Sequence, residues 1–290
     1  MLPRKLKLGG GTPPVVEIPP SHAWWDFSDM GTLFLDTGGA TPVTADGQKI
    51  ARVSDKSGNG WHCVEPTALK QPTFKRNAEG TLSAALFGSY GYGGLIMPDG
   101  LLNGQSNITV FSVSKTSNLT AHQRVVSINT PLTTNGYFGI HAYNESAPSQ
   151  VSVYLSTPET LWTSISTGLL ARSPVLISSF VSEGVEAKYW ANGNLFYTTP
   201  VTTLNSTPSG SGKLGNGRND TRPNILIGLL YEVMVFVNLT EADRLAVELY
   251  LTEKWGVGAH IDADVLEPTF FGLRAYYTFD NVVGNTITDE

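Results

Sequence analysis

The sequence predicts an all-β fold, a two-sheet antiparallel sandwich with one C-terminal amphipathic α-helix. Three observations carry that expectation. Short apolar or alternating segments of strand length recur between residues 23 and 236. Between them stand pairs such as Asp46-Gly47, Asn103-Gly104, Asn135-Gly136 and Asn192-Gly193, which suit the positive φ angles of tight hairpin turns. Only Thr240 to Gly256 shows the apolar period of a helix.

Residues 1–22 read as an extended arm. Arg4, Lys5 and Lys7 precede three glycines, and Pro13-Pro14 and Pro19-Pro20 flank Val15-Val16-Glu17-Ile18. Proline blocks helix and central strand alike. Two readings stand: a disordered leader, or an arm that docks on another protein through Arg4, Lys5, Lys7, Val15, Val16 and Ile18. The expected strands then follow at Ala23–Phe27, Lys49–Val53, Ser83–Phe87, Ile108–Ser114, Arg124–Asn129, Tyr137–Tyr143, Val151–Leu155, Leu161–Ser166, Val175–Ser182, Ala187–Ala191 and Asn194–Thr198. Residues 205–219 form a polar stretch with little to bury and are expected to be a loop. The apolar run Ile225 to Phe236 predicts a strand pair broken at Gly228. In the helix, Thr240 is the expected N-cap, with Glu241 and Asp243 in the first turn and Gly256 at the C-cap. Ala242, Leu245, Ala246, Leu249 and Tyr250 would form its apolar stripe. A single helix of about four turns is marginal in water, so the sandwich must give it a surface.

The totals exclude several classes. Charged residues are 15% of the 290-residue chain and the net charge is −6. A nucleic-acid binder would need a basic stripe to displace counterions, so no nucleic-acid partner is expected. One cysteine, Cys63, permits no intrachain disulfide. No apolar run approaches the length of a membrane span, and the start has basic residues without an apolar segment, so neither membrane insertion nor a secretory leader is expected.

Four segments resemble one family in the order that family requires. Trp25-Asp-Phe-Ser-Asp29 with Thr32-Leu-Phe34 looks like its opening strand, and Asp55-Lys-Ser-Gly-Asn-Gly60 like its first hairpin. Lys188-Tyr-Trp-Ala-Asn-Gly-Asn194 looks like a late hairpin, and Leu230 to Val257 like the closing strand and helix. Together they resemble laminin-G-like, concanavalin A-like lectin-glucanase jelly rolls, in the variant found in bacteriophage virion proteins and bacterial surface proteins. The resemblance covers residues 23–257. It implies a jelly-roll domain at 23–257, a linker at 258–271 and, at 272–290, the opening of a second such domain, since Ala275-Tyr-Tyr-Thr-Phe-Asp280 repeats the character of Ala23-Trp-Trp-Asp-Phe27.

Glucanases of this fold need two convergent carboxylates on one strand, as Glu-x-Asp-x-x-Glu. That run does not occur; Glu183 and Glu186 fall on opposite faces of a strand, and Glu241 and Asp243 open the helix. His22, His62, His122, His141 and His260 are dispersed, without the clustering zinc requires. No catalytic residue is therefore assigned. Related lectin domains hold calcium near loop carboxylates, which makes Asp55 and Asn59 the candidate Ca2+ ligands, against a purely turn-shaping role. Exposed aromatics suit sugar binding: Trp61, Tyr90, Tyr92, Tyr143 and Trp162 are the candidates. The resemblance thus implies a non-enzymatic bacteriophage virion protein, made in the host cytoplasm and released by lysis. Its partners would be other virion proteins through the arm and a host-surface glycan, with a homotrimer as the candidate assembly. It would serve as a tail fibre or receptor-binding component, or as a head fibre or decoration protein. The alternatives are a glycan-degrading enzyme and a secreted bacterial lectin. The implied second domain predicts an intact mass for the natural polypeptide well above 31.2 kDa, which mass spectrometry checks.

Overall fold

The computed structural model describes residues 17–88, 93–116, 123–129, 137–143, 150–157, 160–170, 175–182, 185–200, 212–216 and 225–257. The chain begins with β1 (Ala23–Asp26) and three two-residue strands, β2 (Leu33–Phe34), β3 (Arg52–Val53) and β4 (Cys63–Val64). Next come β5 (Thr73–Glu79), β6 (Leu82–Phe87), β7 (Leu95–Ile96), β8 (Asn107–Thr116) and β9 (Gln123–Asn129). β10 (Tyr137–Tyr143), β11 (Gln150–Thr157), β12 (Thr160–Leu170) and β13 (Val175–Ser182) follow. β14 (Glu186–Ala191), β15 (Asn194–Pro200), β16 (Lys213–Leu214), β17 (Gly228–Val237) and α1 (Glu241–Trp255) complete the described elements.

Two antiparallel sheets result, as expected of a sandwich. One runs β15-β14-β13-β8-β17-β6-β5, with β1 also paired to β17; the other runs β12-β11-β10-β9-β16-β7-β4-β3-β2. Residues Ile18–Ala259 pack as one unit. Between the sheets lies a core that includes Trp25, Phe27, Phe74, Val110, Val126, Leu214, Val233 and Val235. Cys63 is part of it, fully buried, and burial holds its thiol well above the usual range.

A second apolar layer lies on the outer face of the β17 sheet, beneath α1. There Phe111, Val113, Tyr231, Met234 and Phe236 meet Val247, Leu251 and Trp255. The helix caps are those expected: Thr240 Oγ1 accepts from Asp243 N, and Gly256 is left-handed at φ 63°. Its buried face is not. Ala246 of the expected stripe is buried, together with Arg244, Val247, Glu248, Leu251 and Trp255, whereas Ala242, Leu245, Leu249 and Tyr250 are half-buried. Charge explains the difference: Arg244 pairs with Glu248 at 2.5 Å, and its guanidinium lies 4.0 Å over the Trp190 ring. Two charged residues thereby become compatible with burial.

β17 is one strand, not two. Gly228 begins it, because a Cβ there would meet Lys115 O at 2.1 Å, too close for any side chain. The real irregularity sits at Tyr231, where the register against β8 jumps from Leu230/Ser114 to Glu232/Val113. The polar stretch 205–219 also contains a strand. Leu214 is fully buried there, and β16 bridges β7 and β9.

The junction of β1, β17 and α1 is ionic. Asp26 and Glu232 are register partners, 2% and 1% exposed, and Lys254 Nζ lies 2.8 Å from a carboxylate oxygen of each. The indole nitrogens of Trp24 and Trp255 each donate to Glu232 at 2.7 Å. Lys56 adds a second cation to Asp26 at 2.9 Å. Burial pushes the Asp26 carboxyl up, but Lys254, Ser28 and Lys56 together outweigh it and hold it below the ordinary value. Burial and the neighbouring Asp26 charge raise Glu232 against the pull of Lys254 and Trp255.

The expected outcome for Lys254→Met is a loss of about 3–5 kcal/mol at pH 7, because two buried carboxylates lose their shared cation. Glu232, being raised, keeps its proton in the folded state at pH values where the unfolded chain has released it. The penalty in Lys254→Met therefore shrinks as pH falls toward 4.5, the ordinary glutamate value. Asp26, being lowered, acts in the opposite sense only on acidification below 3.8. Urea unfolding of both proteins between pH 4.5 and 8 measures the difference.

Candidate functional site

The sequence-derived residues do not converge on one place. Asp55 and Asn59 lie in the turn between β3 and β4. Asp55 Oδ1 accepts from Trp24 N at 2.8 Å and Ser57 N at 2.9 Å. Its Oδ2 accepts from Ser57 Oγ at 2.6 Å and Trp61 N at 3.0 Å. The Asn59 side-chain amide donates to the carbonyls of Ser21 and His22. His62 Nδ1 accepts from Asp55 N at 3.0 Å, and burial with the Arg52 charge keeps that imidazole below its usual value. Four N–H and O–H donors thus fill the lone pairs that a cation at Asp55 would need, and Asn59 points donors, not its oxygen, into the turn. In this arrangement the pair ties β1 to the hairpin. Among the described residues no cluster of three or more His, Cys, Asp or Glu is placed to hold a metal.

Trp61 belongs to the same turn. It is half-buried, its carbonyl accepts from the Trp25 indole at 2.7 Å, and its ring tilts against His22 at 5.5 Å. Tyr90 and Tyr92, and Arg4, Lys5, Lys7, Val15 and Val16 of the arm, lie outside the described residues. Ile18 packs against the layer beneath α1, so it is taken up by this chain's own fold rather than offered to a partner.

Tyr143 ends β10 and Trp162 lies in β12, where the pairing registers define two faces. One row runs Leu95, Leu214, Val126, Ile140, Val153, Ile165 across six strands. Its first three members are fully buried between the sheets. Phe138 and Leu155 are register partners two positions along. The alternate positions form the intervening rows. Gly139, Tyr154 and Ser164 form one row; His141, Ser152 and Ser166 form the next. Tyr137 pairs with Ser156, and Trp162 lies within the irregularity between the Leu155/Thr163 and Thr157/Thr160 pairs. At β9 the same face continues with Ser127, whose buried hydroxyl donates to Asn216 O at 2.8 Å, and with Arg124, which has a partner of its own.

Tyr143 lies six residues from Tyr137, about 20 Å along β10, past a second irregularity. Trp61, next to β4, is four strands from β10, about 19 Å across the sheet. The candidates Trp61, Tyr143 and Trp162 are therefore not brought together by the pairing.

No protein-family model and no curated protein matches the sequence. Solved structures do. Domain 4 of AbnA, an extracellular GH43 arabinanase from Geobacillus stearothermophilus solved with arabinotriose, superposes with a TM-score of 0.56 at 15% identity. It covers 80% of this chain and 99% of that one. The Ruminococcus gnavus IT-sialidase CBM40 bound to α2,3-sialyllactose gives 0.40 at 16% identity over 50% of this chain and 82% of the other. The binding domain of Paraclostridial Mosquitocidal Protein 1 gives 0.48 at 13% identity over 72% and 51%. The arabinanase domain shows the fold, a two-sheet β-sandwich.

Asp55→Ala leaves the buried N–H groups of Trp24 and Trp61 without acceptors and is expected to cost about 2–3 kcal/mol. Calcium or EDTA should leave the melting temperature of the unaltered protein where it is. Differential scanning fluorimetry reads both, and a calcium-dependent rise would restore Asp55 and Asn59 as ion ligands.

Proposed function

We propose that this chain is a non-enzymatic, glycan-binding structural protein of a bacteriophage virion, borne on a tail fibre or receptor-binding component, or on the head as a fibre or decoration protein. What supports glycan binding is the fold itself, which domain 4 of the arabinanase shares over 80% of this chain. The arabinotriose held by a domain of the same fold supports the same ligand class.

Support for a non-enzymatic role comes from the acids. Asp26 and Glu232 face each other but are buried and share Lys254, so a substrate reaches neither. Retaining hydrolysis needs two accessible carboxyl groups about 5–5.5 Å apart. The virion setting rests on the resemblance of the four ordered segments to phage laminin-G-like domains.

Immunogold labelling of intact particles with an antibody to residues 23–257 tests the setting. Label at the tail tip or fibres assigns adsorption, and label over the capsid assigns head decoration. Particles without label overturn the virion role. Incubation with glycans that the protein retains should release no reducing ends.

A further inference from the structure

We infer that Lys254 and Asp26 react with each other to form an isopeptide bond, with Glu232 carrying the proton, so that the protein staples α1 to β1 covalently. The inference is independent of the glycan-binding reading, and the ion-paired cluster is the state from which the bond forms.

The reacting groups are already assembled. Lys254 Nζ lies 2.8 Å from Asp26 Oδ2 and 2.8 Å from Glu232 Oε2. The carboxyl carbon of Asp26, one carbon–oxygen bond of about 1.2 Å beyond Oδ2, is therefore within about 4 Å of the amine. A small shift brings nitrogen and carbon to the roughly 3–3.5 Å of an attacking pair. Water is kept away, because Asp26 and Glu232 are buried under Trp24, Tyr250 and Trp255. Both indoles and the Tyr250 hydroxyl donate to Glu232, and Lys254 Nζ stands 5.0 Å from the Trp255 ring. In bulk water amine and acid stay ionised and hydrated; burial favours the neutral pair that can react.

Each polar atom has a place in the reaction. The ion pair supplies its own first proton, which passes from Lys254 Nζ to Asp26 Oδ2 and leaves a free amine facing a neutral acid. The amine attacks Cγ and the N–Cγ bond forms. Negative charge then gathers on Oδ1, which accepts from Ser28 N at 2.9 Å and from Ser28 Oγ at 2.6 Å. Glu232 takes a second proton from the nitrogen and delivers it to Oδ2, the Cγ–Oδ2 bond breaks, and one water leaves. Glu232 ends in the state in which it began, one positive and one negative charge vanish together, and no oxidant or cofactor is consumed. Burial and the Asp26 charge, which raise the Glu232 carboxyl, also make it the stronger proton acceptor. Lys56 reaches the same oxygen of Asp26 at 2.9 Å, but its other acid is Asp29, whose side chain is 41% exposed. It therefore lacks a buried proton carrier and serves as a cation beside the leaving oxygen. The new bond would join residues 228 positions apart.

The test follows the full chain by intact-mass spectrometry after purification and again after prolonged incubation. The expected result is a mass about 18 Da below that of the sequence, the water lost. Tandem spectra of a digest should then show a branched peptide that joins Asp26 to Lys254. Glu232→Gln keeps the shape but accepts no proton, so it should retain the full mass. Asp26→Asn should form the same bond with loss of ammonia, about 17 Da. Should Glu232→Gln fail to fold, Lys254→Arg keeps the cation without a nucleophilic amine and must retain the full mass. Full mass in the unaltered protein after incubation overturns the inference. The same mass loss traced to a succinimide at Asp46-Gly47 or Asp99-Gly100, or to a branch at Lys56, also overturns it. A folded Glu232→Gln that cross-links as fast as its parent overturns the role of Glu232.

Discussion

The fold depends on one half-buried cation set between two buried carboxylates. Lys254 projects from the last turn of α1 and closes a contact between Asp26 on the first strand and Glu232 on the last. Those two carboxylates come from strands more than two hundred residues apart in sequence, and they sit side by side because β1 pairs with β17. Without Lys254 they would repel each other in a medium that hardly screens them. With it, α1 is fastened at its C-terminal end, and the indoles of Trp24 and Trp255 complete the shell around Glu232. At the other end of the helix, Arg244 does similar duty with Glu248 and Trp190. The helix is thus held to the sheet by apolar packing in its middle, by the Lys254 ion pairs at its C-terminal end and by the Arg244 guanidinium over Trp190 near its start.

Much of the architecture was legible because it obeys local rules. The strands Tyr137–Tyr143 and Val175–Ser182 occur as the alternation and apolar content predict. Asn192 and Gly193, at φ 49° and 80°, make the two-residue turn that joins β14 to β15. Where the reading missed, a tertiary partner overrode the local signal. β5 was overlooked because Lys75, Arg76 and Asn77 are exposed on an edge strand, which reads as a loop. β16 was missed because one buried leucine, Leu214, is too little signal in a polar stretch. The helix stripe was misplaced because Arg244 and Glu248 neutralise each other, a fact that no hydropathy count contains.

The candidate site was half legible. Trp162 was selected from its residue type, but its neighbours along the sheet depend on strand pairing, which the sequence does not contain. Asp55 shows the converse case. Its residue type and turn suited a cation, and only the four donors gathered around it reveal a structural task.

The pairing of β1 with β17 also sets an order of events during synthesis. Trp25 and its neighbours leave the ribosome early, but their partners, Glu232 to Val235, emerge about 10 to 45 s later at ordinary elongation rates. β8, which takes the opposite side of β17, waits as well. The central sheet therefore cannot close until β17 has emerged, and its apolar strands must stay apart from those of neighbouring nascent chains until then. The arrival of β17 and of the helix that seals it, rather than the first collapse, governs how much of the product folds cleanly.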